Sequence, residues 1–224
     1  FGGGDRLVWL LLGAGCARPI SSVTVVATAP GNTTIQVTPT ATVNAGGEIE
    51  QLPEGMPHEF VLRQGQVLNL EAYAEPLGNI EDFFPRCETD DDCIIGGCLV
   101  GICLGDLAAQ AERAVADLTG TIIVSSQPVA VFGGHEEAVV GEGCCAEHLE
   151  QQLFPTSTWG QRYLAARSEP RGGSIEVWRV VASTDNTVVT TVPPQPDSGQ
   201  FTLNRGEFHE ITSQDAFEIE ASAP

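Results

Sequence analysis

The sequence predicts an all-β protein of repeated antiparallel hairpin units in a sandwich-like arrangement, with a small disulfide-rich insertion and a short helix. Two observations carry that expectation. From Ser22 onward, β-branched residues dominate in short runs separated by Pro, Gly and Asn, which is the composition of strands and turns. The same succession of runs recurs later in the chain, as happens when one supersecondary unit is duplicated. A propeller-like arrangement is the alternative that such repetition also allows. At 224 residues the chain can bury one large β domain or two smaller ones.

The first element is the apolar run Leu7-Val8-Trp9-Leu10-Leu11-Leu12, followed by Gly13-Ala14-Gly15-Cys16. It is too short to cross a bilayer, which takes about 20 apolar residues. It fits the end of a signal-peptide hydrophobic region with small residues before a cleavage point. Residues 1–16 are therefore read as a signal-peptide or lipobox remnant. In that pattern Cys16 is lipidated and becomes the mature N-terminus. Gly13 stands where the motif prefers leucine, and the charged flank is only Asp5-Arg6. The competing reading is a buried strand over 7–15 with Cys16 as an ordinary core thiol.

Residues 23–29 then read as a strand, Pro30-Gly31-Asn32 as a turn, and 33–38 as a returning strand whose alternation gives one buried and one solvated face. The segment from Phe60 to Leu70 holds two more strands about Gly65. The second copy runs from Trp178 through a turn at Asp185-Asn186 to Val192, and then from Phe201 to Ile211. Phe60 with Phe201, Leu62 with Leu203, and Gly65 with Gly206 match at one constant separation of 141 residues. Each glycine is expected to turn the chain with a positive φ. Residues 121–128 lead into a strand at Val129–Phe132, and residues 217–224 match 121–128. By analogy a strand like Val129–Phe132 follows Pro224, so residues 22–224 are read as one β domain truncated at its C-terminus.

Residues 76–117 interrupt the first copy. This insertion contains Cys87, Cys93, Cys98 and Cys103, with five, four and four residues between successive cysteines. A short helix is expected after it, with Asp106 as N-cap and Leu107, Ala111, Ala114 or Val115, and Leu118 on one face. A helical turn is expected from Cys144-Cys145 to the stop at Pro155. In an exported chain clustered cysteines staple loops too small to own a core, so Cys87, Cys93, Cys98, Cys103, Cys144 and Cys145 are disulfide candidates. Four thiolates could also hold zinc, but these spacings are not the short C-x₂-C knuckles zinc sites favour.

Thirty acidic residues face ten basic ones, all arginine, for a formal net charge of −20. Such a surface repels phosphate backbones and anionic headgroups, which argues against nucleic acid as a partner and leaves a lipid anchor as the only membrane contact.

The run Thr119-Gly-Thr-Ile-Ile-Val-Ser-Ser-Gln-Pro-Val-Ala-Val-Phe-Gly-Gly-His135 resembles the IgGFc-binding protein N-terminal domain family. So do Cys145-Ala-Glu-His-Leu-Glu-Gln-Gln-Leu-Phe-Pro-Thr-Ser-Thr-Trp-Gly160 and Val180-Val-Ala-Ser-Thr-Asp-Asn-Thr-Val-Val-Thr190. The resemblance covers most of residues 22–224 and is strongest over 118–211. The four-cysteine insertion departs from it and looks like short cysteine-rich repeats of myxobacterial surface proteins. The family is named for an animal mucosal protein that binds the Fc part of immunoglobulin G, and its bacterial relatives are large secreted or surface proteins. The resemblance implies extracellular binding or adhesion in a bacterial-type protein, with an extracellular protein or glycan as partner. It does not extend to IgG itself.

Glu88, Asp90, Asp91 and Asp92 are weak calcium candidates, because hard cations want clustered carboxylates. The EF-hand pattern fails at Ile94, and a solvated acidic loop is the plainer reading. His135-Glu136-Glu137 and His148 lack the His-Glu-x-x-His arrangement, since Val139 occupies the second histidine's place. His148 is expected to be structural, hydrogen-bonded beneath the Trp159 turn. No nucleophile elbow, P-loop or dinucleotide fingerprint is present, so no catalytic residue or cofactor is assigned. The expected function is an exported binding or adhesion module at the cell envelope or cell surface, as an outer-membrane lipoprotein, or secreted. A passive spacer is the second reading and an envelope hydrolase the third.

Overall fold

The computed structural model describes residues 21–73, 89, 98–99, 102–103, 117–138, 147–169 and 175–224. The chain divides into two units, one of Phe1–Ile20 with Tyr73–Ala116 and one of Ser21–Ala72 with Asp117–Pro224. In the first unit the described strands are β5 (Cys98–Leu99) and β6 (Ile102–Cys103), an antiparallel pair with Cys98 opposite Cys103. The expected helix after Asp106 lies outside the described residues.

The second unit holds both copies of the repeat. The first copy contains β1 (Ser21–Ala27), β2 (Asn32–Thr38), β3 (His58–Arg63), β4 (Val67–Glu71), β7 (Ile122–Ser125) and β8 (Val129–Ala138). They form two sheets, β4-β1-β8-β9 and β3-β2-β7, where β9 is Glu147–Gln152. The second copy contains β11 (Glu176–Val181), β12 (Thr187–Val192), β13 (Gln200–Leu203), β14 (Phe208–Ser213) and β15 (Phe217–Ala221). Its sheets are β11-β14 and β10-β15-β12-β13, with β10 at Arg162–Ala165.

The strands form because alternate residues can be buried. On β1 Val23, Val25 and Ala27 point inward, and on β2 Thr33, Ile35 and Val37 do. Leu68 and Leu70 add the inward face of β4. Burying a side chain such as Ile35 or Leu70 contributes about 1.5–3 kcal/mol. In the second copy Ala182, Val189, Leu203, Ile211, Phe217 and Ile219 make one cluster, with Ala165 of β10, and Trp178 and Val180 pack against it. That cluster draws on both sheets, which is the arrangement of a sandwich.

The two copies share register and turn bonds at equivalent positions. Val23 faces Leu70 as Trp178 faces Ile211, and Ile35 faces Phe60 as Val189 faces Phe201. Ile35 also faces Ser125 as Val189 faces Ala221. Ala27 N–H donates to Gln66 O at 3.1 Å and Ala182 N–H to Glu207 O at 3.1 Å. Gly65 N–H donates to Ala27 O and Gly206 N–H to Ala182 O, with φ of 80° and 82° at the two glycines. The Ser126 hydroxyl accepts from Thr34 N–H as the Ser222 hydroxyl accepts from Val188 N–H, each at 2.9 Å.

Two local expectations are corrected. The strands flanking Pro30-Gly31 do not pair with each other: β1 and β2 diverge into opposite layers, and the turn is a corner between sheets. Both edges of β1 are already occupied, by β4 and β8. The segment after Cys145 contains strand β9 where a helical turn was expected. Its Leu149 and Leu153 have helical spacing, but all six residues of β9 are exposed. With no face buried, side-chain periodicity decides nothing, and pairing with the backbone of β8 wins.

Candidate functional site

Two surfaces of the second unit concentrate chemistry. One is the junction where the copies meet. Gly120, at φ 86°, lies so close to Gly206 that a Cβ on it would fall 1.8 Å from the Gly206 carbonyl oxygen. Beside this contact, Arg179 of β11 donates to Asp117 Oδ2 and to Thr119 Oγ1, each at 2.7 Å. Its other nitrogens donate to Glu210 Oε1 on the neighbouring β14, at 3.0 and 2.6 Å. The guanidinium also lies 4.4 Å above the Phe208 ring, a cation–π geometry.

Burial alone would raise the Asp117 pKa. The Thr119 N–H and hydroxyl and the Arg179 cation outweigh it and hold the carboxyl below its ordinary value. His135 of β8 is half-buried and its Nδ1 has no hydrogen-bond partner among the described residues. Burial lowers its proton affinity and Arg179 adds to that, against the opposite pull of Asp117 and Glu136. This ion-pair and hydrogen-bond network fastens the copies together.

The other surface is the segment from β9 to β10, which contains the motif ending at Gly160. Phe154 is 76% exposed and Leu164 72%, with Leu149, Leu153 and Tyr163 about half exposed. Local bonds hold the backbone that carries these exposed residues. Thr158 N–H donates to Pro155 O at 2.9 Å, closing a single 3₁₀ turn at Thr156–Thr158. Trp159 Nε1 donates to Phe154 O at 3.2 Å, and Gly160 N–H to the Tyr163 hydroxyl at 2.6 Å. On β10, two guanidinium nitrogens of Arg162 bond both carboxylate oxygens of Glu218.

The expectation for His148 is corrected here. It is exposed on β9 and lies 3.7 Å from Glu150, while the Trp159 indole is bonded to Phe154. Every residue of β9 is exposed, so the His148 imidazole stays at the surface with its strand. Cys16, Cys87, Cys93, Cys144, Cys145, Glu88, Asp90, Asp91 and Asp92 lie outside the described residues. Cys98 and Cys103 are brought opposite each other by the β5–β6 pairing. Among the described residues no group of three or more His, Cys, Asp or Glu could hold a metal ion. Sequence reasoning missed Arg179 and the Phe154–Leu164 row. No sequence signal marked these exposed residues, because an apolar residue reads the same whether it faces a core or water.

The sequence pattern of the family described as IgGFc binding protein matches residues 15–224. The chain belongs to this family. The human IgGFc-binding protein is 43% identical over 56 residues, which is 25% of this chain and 1% of the human protein. The chain thus spans a very small part of that relative's length. No solved structure matches. Among the described residues no helix is long and apolar enough to cross a membrane.

Proposed function

We propose that the chain is an extracellular binding module of a larger protein, taking its ligand on the apolar row from Leu149 to Leu164, and that it is not an enzyme. Membership of the IgGFc-binding family supports the class of function. The observation that carries the site is the exposure of Phe154 and Leu164 on a segment with local hydrogen bonds of its own. Large apolar side chains displayed together on a surface mark interaction sites.

The finer reading is a bacterial-type adhesion module for a protein or glycan ligand. In it Cys16 carries a lipid anchor and the other six cysteines are paired as disulfides. The repeated architecture favours the spacer role as the second reading, since tandem sandwiches extend a chain without needing a ligand.

The test is surface-immobilised binding of the purified chain to human IgG Fc, collagen, fibronectin and a glycan array. Saturable binding to at least one of these is expected, and F154S/L164S should weaken it about tenfold or more, on the scale of interface hot spots. Equal binding by the variant would remove the row from the reading. No binding to any probe would favour the spacer.

For the cysteines, intact mass is measured before and after reduction on protein expressed with its own leader. A mass gain of two per disulfide on reduction, with an acyl adduct at Cys16, is expected. An unprocessed chain with free thiols would overturn both assignments.

A further inference from the structure

We propose that the outer edge of β11 is a strand-acceptor site for an extended antiparallel segment of β8 character. The correspondence between the copies carries this. In the first copy β1 is flanked by β4 on one side and β8 on the other. In the second, β11 pairs with β14 in the same register, and among the described residues its other side has no strand.

Antiparallel ladders alternate, so successive residues direct their N–H and C=O to opposite sides. Ala182 uses both groups toward β14, as Ala27 does toward β4. Val177, Arg179 and Val181 therefore direct theirs to the open side. Their counterparts Ser22, Thr24 and Val26 face Gly134, Phe132 and Ala130 of β8.

The entry to that edge is already formed. In the first copy Pro128 O accepts from Thr28 N–H at 3.4 Å and from the Thr28 hydroxyl at 2.8 Å, and β8 begins at the next residue. In the second, Pro224 O accepts from Ser183 N–H at 2.9 Å and from the Ser183 hydroxyl at 2.5 Å. A residue joined to Pro224 is thereby delivered to Ala182, as Val129 is to Ala27.

The core bears the same mark. Val25 is fully buried and Val23 nearly so, whereas their counterparts Val180 and Trp178 are only partly buried beside the open edge. Unpaired edges that proteins keep open are guarded by charge. β9 is such an edge, with Glu147 and Glu150 and all six residues exposed, whereas β11 carries Glu176 and Arg179 beside Val177, Trp178, Val180 and Val181, and Arg179 is drawn into ion pairs with Asp117 and Glu210. The occupant this edge fits is an antiparallel strand with small or β-branched apolar residues opposite Trp178, Val180 and Ala182, where the first copy has Gly133, Val131 and Val129.

The test appends Val-Ala-Val-Phe-Gly-Gly-His after Pro224 and compares it with Val-Pro-Val-Pro-Gly-Gly-His, whose prolines remove ladder amides. Amide hydrogen exchange and thermal unfolding are measured on the unextended chain and both extensions. The first extension should slow exchange at Val177, Arg179 and Val181 about tenfold or more and raise the melting temperature by a few degrees, the scale of about 1 kcal/mol in a domain of this size. The proline extension should do neither. The proposal is overturned if the two extensions behave alike, or if those amides are already as protected as Val26 in the unextended chain. Neither result bears on ligand binding by the Phe154 row.

Discussion

Gly120→Ala should destabilise the protein by about 3 kcal/mol or more, while Gly65→Ala should cost only about 1 kcal/mol. Both glycines have φ near 80–86°. Placing alanine there costs about 1–2 kcal/mol for the left-handed backbone, partly offset by the lower entropy of the unfolded chain. A Cβ at Gly65 meets nothing within 4 Å, so its cost stops at that conformational term. At Gly120 the new atom would lie 1.8 Å from the Gly206 carbonyl oxygen and 2.8 Å from its carbon. Those are backbone atoms and cannot rotate away, so the copies must separate locally, adding the overpacking cost of about 1–3 kcal/mol. Gly206→Ala should fall between them, because its Cβ would lie 2.9 Å from Gly120 O. Urea unfolding of the three variants gives the order directly. Equal losses at Gly120 and Gly65 would mean that the contact between the copies contributes nothing beyond backbone strain.

Gly65 and Gly206 were identifiable from the sequence, because duplicated corners need the same residue twice. Gly120 was not, since its constraint comes from packing against the second copy. The same division runs through the molecule. The alternation of Val23, Val25 and Ala27 and the match of Phe60 with Phe201 identify strands and repeat, because burial on one face leaves a period of two in the sequence. The assignment of β1 and β2 to different sheets leaves no such trace. A corner at Pro30-Gly31 and a hairpin turn use the same residue types, and the choice is made by the partners β4 and β8. The exposure of Phe154 and Leu164 was equally hidden, for an apolar residue reads the same in sequence whether it faces a core or water. Arg179 meets Asp117 and Thr119 across about sixty residues of chain, a distance at which only the folded arrangement pairs charges.

Arg179→Met should cost about 2 kcal/mol at neutral pH, and a double-mutant cycle with Asp117→Asn should return a coupling of about 1 kcal/mol. Methionine keeps an aliphatic stem but removes the guanidinium that lies over Phe208 and pairs with the Asp117 and Glu210 carboxylates. Hydrogen bonds to charged groups reach about 1.5–3 kcal/mol when buried. Arg179 keeps 38% of its side chain exposed and Asp117 34%, so solvent screening reduces the sum.

The Asp117 carboxyl is held below its ordinary value in the folded protein, so the native state binds its proton less tightly than the unfolded chain does. Its contribution is therefore complete above the unfolded value, about 3.9, and is lost as pH falls through the lower folded value. The stability difference between the parent protein and Asp117→Asn should stay constant from about pH 8 to pH 5 and shrink below about pH 4. Using the difference removes the acid sensitivity of the other carboxylates, which both proteins share. A difference that persists unchanged at the lowest pH where the parent still folds would assign the effect of Asp117→Asn to altered packing and not to the carboxylate's charge. Salt supplies an independent check, because the Arg179 coupling should fall as ionic strength rises while the Gly120→Ala loss does not.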